Sequence, residues 1–334
     1  MKRIFAFLLI TSLLLCAAGC KEEPPLPALT DTYVAAMDTE MTLRLYGDTD
    51  GAYAKALTDE IMRLDALLSP TDERSALSSL NRFKVSSDPD LTALAATAQQ
   101  LGTRTGGALD VTLYPLSSLW GFTGEKYYIP GADEIRQTQM RTGADKLSVA
   151  DGRITLTGDA ALDFGALAKG CAADNCRAIL EQAGIPALLS LGGNVQTVGD
   201  KPDGTPWRIG VQDPDAPGSV LLMLAVAGSC AVVTSGDYQR YFDYEGVRYC
   251  HIFDPETGSP VQKDLRSVTV VTASGVLADG LSTALFVMGF DEACAHWRQS
   301  NDFEAIFVTK DGGVFVTAGL AGAVSDCEFT VVER

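Results

Sequence analysis

A chain of 334 residues with 46% apolar content can bury a sizeable core, in one large domain or two intimately joined ones. Its formal net charge of −17 argues against nucleic acid as a partner, and an anionic ligand would need a metal ion or backbone amides to offset the surrounding field. His251 and His296 are the only histidines, which nearly excludes a histidine-rich zinc site and points any metal toward hard, oxygen-bound cations.

In chain order, residues 1–19 have the pattern of an export signal. Lys2 and Arg3 give a positive start, Ile4 to Leu15 an apolar run too short to span a membrane permanently, and Ala17, Ala18 and Gly19 the small residues before Cys20. That placement of Cys20 resembles the bacterial lipobox, whose cysteine is acylated, although Ala17 stands where such boxes more often carry Leu. A lipoprotein is therefore expected, anchored by acyl chains to the cell membrane on its extracytoplasmic face, the periplasmic side in a Gram-negative envelope. An ordinary secreted protein is the alternative. Residues 20–31 would be the lipidated cysteine and its tether, Pro-rich from Glu22 to Pro27, and residues 32–334 the folded domain. Loss of Lys2 and Arg3 takes the charge to about −19. Cys171, Cys176, Cys230, Cys250, Cys294 and Cys327 remain, with no CxxC pair and no dense framework, so scattered buried thiols are expected.

Glu40 to Tyr46 alternates as a strand does, and Ala52 to Leu68 recurs at helical spacing with Ile61, Leu64, Leu67 and Leu68 on one face. Ser69 to Asn81 is polar and turn-rich, which predicts a surface segment, and Asp90 to Thr103 a second helix. Ala161 to Phe164 is expected as a short apolar strand, broken by Gly165 and followed by a helix from Ala166 to Ala183 that Gly184 closes. Pro186 to Ser190 is another strand, ending before Gly192 and Gly193. Strands then dominate: Ile209 to Gln212, Val220 to Ala227, Val268 to Thr272, Ala305 to Thr309 and Gly313 to Thr317, with one strong helix, Leu277 to Met288, among them. Unequal runs of strands and helices predict an α+β fold, a mixed sheet with packed helices.

The familiar nucleotide-binding, hydrolase and zinc-protease patterns are absent: no GxGxxG, GxSxG or HExxH occurs. Four segments nevertheless carry chemistry. Asp279 and Thr283 lie four apart on a helix, so their oxygens share a face and suit one magnesium ion; an Asp favourably placed in the first turn above a packed Thr is the plainer reading. Asp163 precedes the Gly165 turn, and Lys169 falls in the first turn of the next helix, where free amides and a cation would suit a phosphate. Thr234, Ser235, Gly236 and Asp237 precede a strand-like segment that turns at Glu245 and Gly246 and leads to His251 and the turn Asp254 to Gly258. As a general base His251 would need a reacting hydroxyl within hydrogen-bond reach. Gly106 to Asp110 opens a segment ending in Trp120, Gly121 and Phe122, whose glycines permit close backbone approach and whose aromatics would suit a flat ring, if they are not simply core.

The ordered strings GGALDVTLYPLSSLWGF, LDFGALAKGCAAD, LLSLGGN, WRIGVQDP, TSGDYQRYF, HIFDPETGSPV and SVTVVTASGVLADGLSTALFVMG span most of the chain from Met37 to about Phe290. Together they resemble the ApbE family, the FAD:protein FMN transferases, whose fold is related to the T-fold. The resemblance implies magnesium as cofactor, held by the side chains of Asp279 and Thr283, with Ser282 at a position that sometimes contributes, and by the backbone carbonyl of Ala166. It implies FAD contacts at Met37, Ala108, Leu109, Asp110, Asp163, Lys169 and the backbone near Phe253, and His251 as the base that helps an acceptor hydroxyl attack. Two departures stand out. Met37 is followed by Asp38 and Thr39 where the family usually has Gly-Thr, and Thr71 occupies an FAD-side position where many members carry an aromatic residue. The implied reaction moves FMN from FAD to a Thr or Ser of an acceptor flavoprotein, such as a membrane redox-pump subunit or an exported reductase, and releases AMP. An FAD pyrophosphatase, with water as acceptor, and a flavin-binding lipoprotein without catalysis are the alternatives.

Overall fold

The computed structural model describes residues 25–124 and 126–334; the expected signal, Cys20 and the start of the tether, including Glu22, lie outside the described residues. The folded body begins at β1 (Leu29–Ala36), so the tether ends three residues earlier than its expected boundary at residue 31. The alternating strand β2 (Thr39–Tyr46) pairs with β1 through a two-residue turn, Met37 and Asp38, both left-handed with φ of 51° and 57°. Helix α1 (Ala52–Leu68) buries Leu57, Ile61, Leu64 and Leu68. Helix α2 (Ala76–Phe83) replaces part of the expected surface segment; Ser75 caps it, and Leu77 and Leu80 are buried one turn apart. After β3 (Val85–Ser86) comes α3 (Pro89–Arg104), capped by Asp88, then α4 (Tyr114–Leu119) and α5 (Ala132–Gln139).

Strands β4 (Leu147–Ala150) and β5 (Arg153–Leu156) lead to α6 (Ala168–Ala183), which ends at a left-handed Gly184. Then follow β6 (Ala187–Leu191), β7 (Asn194–Val198), β8 (Trp207–Gln212), β9 (Val220–Val226) and β10 (Cys230–Gly236). The hairpin β11 (Tyr241–Tyr244) and β12 (Val247–Cys250) precedes the two-residue strands β13 (Phe253–Asp254) and β14 (Ser259–Pro260), then β15 (Leu265–Thr272). The chain finishes with α7 (Gly275–Met288), α8 (Phe290–Arg298), β16 (Glu304–Thr309), β17 (Val314–Thr317), β18 (Val324–Ser325) and β19 (Thr330–Val332).

Nine strands form the main sheet, in the order β1-β2-β6-β7-β10-β15-β16-β17-β19, with every pair antiparallel except β17 with β19. The pleat sends alternate residues to opposite layers. On β10, Ala231 and Val233 join the core beneath α7 and α8, whereas Val232 joins the core beneath the β8-β9-β18 sheet on the other side. A third cluster joins α1, α3 and α6 to β1, β2 and β6. The fold is α+β, as the uneven run of elements predicts. Among the described residues no helix is long and apolar enough to cross a membrane. All six cysteines from Cys171 to Cys327 are free.

One expected strand is absent. Residues 161–164 make only a single bridge, Leu113 to Ala161, and the peptide of Leu162 is instead held at both ends by one side chain: its N–H donates to Asn81 Oδ1 (2.7 Å) and its carbonyl accepts from Asn81 Nδ2 (2.9 Å). Asn81 belongs to α2, so an amide side chain from an unforeseen helix stands where a neighbouring strand would have been.

Candidate active site

The site is built where the N-terminal turns of α6 and α7 cross. Gly170 and Gly275 meet there backbone to backbone: a Cβ on Gly170 would lie 2.3 Å from the Gly275 carbonyl oxygen, and one on Gly275 2.6 Å from that of Gly170. Only hydrogen fits at either position. Asp174, one turn further along α6, caps α7, accepting from Ser274 Oγ (2.9 Å) and from the amides of Gly275 (2.8 Å) and Val276 (3.0 Å).

This crossing places Asp279 over the start of α6, where its Oδ2 accepts the Gly170 N–H at 2.8 Å. Helix α7 starts two residues before the expected Leu277, so Asp279 lies in its second turn and not at its leading edge. What holds the carboxylate is the α6 amide rather than the dipole of its own helix. Asp279 is 4% exposed, and burial pushes its carboxyl pKa upward, with Lys169, the Gly170 amide and Asn194 pulling the other way. Because Gly170 donates to Asp279, it does not donate to the carbonyl four residues back. No N–H among the described residues caps the Ala166 carbonyl.

Thr283 is one turn beyond Asp279 and half-buried. Its Oγ1 lies 3.2 Å from Ser235 Oγ, which lies 2.8 Å from Ser282 Oγ, which donates to the Asp279 carbonyl at 2.9 Å. Each hydroxyl has one proton, so the chain runs Thr283 to Ser235 to Ser282 to carbonyl and leaves the lone pairs of Thr283 free. Ser282, wholly buried, spends its hydroxyl in this chain.

Lys169, at the second position of α6, lies within electrostatic reach of Asp163, His251 and Asp279. Asp163 accepts the Gly165 N–H at 2.7 Å, and burial raises its pKa against the pull of Arg240 and Lys169, with Asp38 adding to the rise. His251 follows β12. Its N–H donates to the Arg240 carbonyl (2.9 Å), and Nδ1 is 3.2 Å from the same oxygen, which fixes the proton on Nδ1 and leaves the Nε2 lone pair outward. Burial, with the Arg240 cation beside it, lowers its pKa to about 4, so the ring is neutral at physiological pH.

The remaining expected contacts make local bonds of their own. Met37 donates its N–H to Asp65 Oδ1 (2.9 Å), and the β1–β2 turn borders an open cleft of about 780 Å³ lined by Ala36, Met37, Asp38, Thr39 and Asp65. Leu109 is buried against the position of Gly280 on α7, and Ala108 packs beside it. Asp110 accepts from the Thr112 N–H (2.8 Å) and hydroxyl (2.7 Å), while burial raises its pKa. Thr71 is exposed, its hydroxyl 3.4 Å from that of Ser69, in a loop whose Pro70 carbonyl accepts from Tyr114. Trp120 and Phe122 do not line an open site: both are buried against Phe253, and Trp120 Nε1 donates to the Gly258 carbonyl (3.1 Å). Ser235, Arg240 and Asn194 join the site without having been assigned roles from sequence. They fall within TSGDYQRYF and LLSLGGN, but a serine and an asparagine on strands and an arginine in the bend before β11 carry no spacing signal of their own.

Known proteins resemble this chain along most of its length. A model described as the ApbE family matches residues 37–307. The FAD:protein FMN transferase of Treponema pallidum (strain Nichols) is 32% identical over 320 residues, covering 87% of this chain and 88% of the relative. That of Escherichia coli (strain K12) is 32% identical over 328 residues, covering 90% and 91%. Among solved structures, the ApbE protein of Thermotoga maritima superposes with a TM-score of 0.82 at 32% identity, covering 87% of this chain and 98% of that one. The flavin transferase ApbE of Vibrio cholerae gives 0.79 at 27% identity, covering 90% and 100%.

Proposed function

The chain belongs to the ApbE family, and on that premise we propose that it is a magnesium-dependent FAD:protein FMN transferase acting on an exported acceptor flavoprotein. What supports the proposal is the family match, together with Lys169 acting electrostatically on Asp163, Asp279 and His251 at once.

The donor set fits magnesium. Asp279, Thr283 and the Ala166 carbonyl offer only hard oxygens, which suit magnesium. One carboxylate and two neutral oxygens leave room for substrate phosphates and water. Magnesium bound there supplies a Lewis acid for the negative charge that builds on the pyrophosphate. Ser282 supports this set through Ser235 and the Asp279 carbonyl and is not itself a ligand in this reading.

The protein residues divide the remaining work. Lys169 neutralises phosphate charge at the N-terminus of α6. Met37, Thr71, Ala108, Leu109, Asp110, Asp163 and the backbone near Phe253 hold the rest of FAD. His251 Nε2 takes the proton of an acceptor Ser or Thr hydroxyl as its oxygen bonds to the FMN-side phosphorus. The bond from that phosphorus to the bridging oxygen breaks, and AMP leaves with the electron pair. Upstream, Cys20 carries the lipid that keeps the body at the extracytoplasmic face of the membrane.

The test is incubation with FAD, magnesium and an acceptor domain, read as covalent flavin fluorescence on a denaturing gel. Asp279→Ala is expected to lower transfer by at least about 10²-fold, as loss of a group stabilising transition-state charge does. Undiminished, magnesium-dependent transfer by that variant would falsify the assignment. A hydrolase reading has one observation in its favour: Thr71 presents a hydroxyl to solvent where an aromatic ring would shield the flavin side. Mass spectrometry of the products separates free FMN plus AMP from flavinylated protein plus AMP.

A further inference from the structure

Cross-strand partners in the hairpin of β11 and β12 are Tyr244 with Val247, Asp243 with Arg248, Phe242 with Tyr249 and Tyr241 with Cys250. One step further along the same register stand Arg240 and His251, joined by the His251 N–H to the Arg240 carbonyl (2.9 Å). Side chains alternate between the faces of a strand, and directly opposite residues have Cβ atoms about 4.5–5.5 Å apart. Arg240 and His251 therefore lie side by side on the face that carries Phe242 and Tyr249. That face is braced by aromatic packing: Phe242 stacks on Tyr127 (4.7 Å between centroids) and on Tyr249 (5.2 Å), and Tyr249 meets Trp120 (5.5 Å). Arg240 Nη2 donates to the carbonyl of Phe122, a member of the same cluster, at 3.1 Å. Arg248, on the opposite face, pairs with Asp243, whereas Arg240 has no carboxylate partner among the described residues. A guanidinium has five N–H donors, so most of those on Arg240 are uncommitted, on an exposed residue beside the imidazole. Its cation acts on Asp163 as well as on His251.

We propose that Arg240 is a further catalytic residue, its guanidinium gripping the nonbridging oxygens of the FMN-side phosphate. The inference rests on the transferase reading above, with His251 as the base. An imidazole that takes the proton of the attacking hydroxyl stands within hydrogen-bond reach of an oxygen that is itself bonding to that phosphorus. A cation one cross-strand step from the ring then reaches the other oxygens on the same phosphorus. A planar guanidinium matches two phosphate oxygens at once and keeps its proton throughout, so it steadies their charge without joining the proton transfer. Lys169 reaches the phosphates from α6, whereas Arg240 comes from the hairpin that leads into the base. Base and phosphate clamp are thereby held in one geometry by a single pair of strands.

The experiment titrates the full chain with FMN, riboflavin and FAD in the presence of Mg²⁺, read by flavin fluorescence, for wild type, Arg240→Gln and Arg240→Lys. Riboflavin lacks the phosphate, so the ratio of FMN to riboflavin affinity isolates the contact. Arg240→Gln is expected to lose about 10- to 100-fold in FMN affinity, the worth of a charge-assisted pair, and to bind riboflavin as wild type does. Arg240→Lys, a cation without the fork, should fall between the two. Covalent transfer of FMN by Arg240→Gln should slow by at least about 10²-fold, as on loss of a donor to transition-state charge. FMN affinity within about twofold of wild type in Arg240→Gln overturns the role, and so does undiminished transfer. An equal loss for FMN and riboflavin overturns it too, being the mark of a guanidinium that only supports the Phe122 carbonyl and the aromatic stack. Wild-type protein that binds FAD no more tightly than riboflavin refutes the transferase reading of this site and the inference with it. A wild-type preference for FMN over riboflavin that persists in both Arg240 variants refutes the Arg240 role alone.

Discussion

At the scale of single residues, Asp279 is in conflict with the fold that surrounds it. Burial raises its pKa, so above the ordinary carboxylate range the folded state gives up its proton less readily than the unfolded chain. The unfolded chain then binds fewer protons, and stability falls as pH rises through that range. In metal-free protein Asp279→Asn is therefore expected to raise the Tm, and added magnesium is expected to stabilise wild type but not the variant; thermal melts with and without the ion check both halves. His251 has the opposite sign of shift, from 6.5 to about 4. Between those values the unfolded chain takes up a proton that the folded ring refuses, so stability falls as pH drops from about 6.5 toward 4 and is unaffected above. His251→Gln should flatten that slope in denaturant titrations and lower transfer by about 10²- to 10⁴-fold, the usual worth of a general base. FAD affinity measured by fluorescence should change little.

At the scale of elements, the site depends on how α6 and α7 cross, and two residues set the crossing. Gly170→Ala puts a methyl group into the Gly275 backbone, forcing the helices apart at a destabilisation of about 1–3 kcal/mol or more. The same separation draws the Gly170 amide off Asp279, so magnesium dependence should weaken together with the Tm. Asp174→Ala removes three bonds from the start of α7, a loss of about 1–2 kcal/mol by analogy with helix caps, and should leave Mn²⁺ affinity less affected than Gly170→Ala does. Helices α1, α3, α6 and α7 were legible because their apolar residues recur at helical spacing over three turns or more. Helix α2 was not: only Leu77 and Leu80 mark its buried face, among serines that read as a loop. The expected strand at Ala161 to Phe164 failed for the converse reason, since four apolar-rich residues do not say whether a strand or the Asn81 side chain will take their backbone groups.

At the scale of the whole molecule, the nine-stranded sheet is the frame that brings distant segments together. Asn194, Ser235 and Asp279 meet because β7, β10 and the helix packed over them are neighbours in space, although 85 positions separate the first from the last. The folded body starts within ten residues of Cys20, so a lipid there would keep the site close to the membrane. Cys20→Ser is expected to move the protein from the membrane fraction to the soluble fraction with its transfer activity per molecule unchanged, since no described site residue depends on the tether; fractionation followed by the fluorescence assay checks both.

The chain's own order of residues determined the α+β class, the identity of its family and the chemistry available: one helix with Asp279 and Thr283 four apart, a lysine at a helix start, and a single histidine ahead of a turn. Those are local properties, carried by periodicity, by side-chain type and by strings long enough to be distinctive. Tertiary structure alone decided that Asp279 answers to the Gly170 amide, that Ala166 keeps a free carbonyl, that His251 is neutral, and that Trp120 and Phe122 are core. Each of these depends on which groups are excluded from water and which donors lie across a helix or strand boundary. Burial and long-range pairing are set by the packed whole, and no window along the sequence contains them.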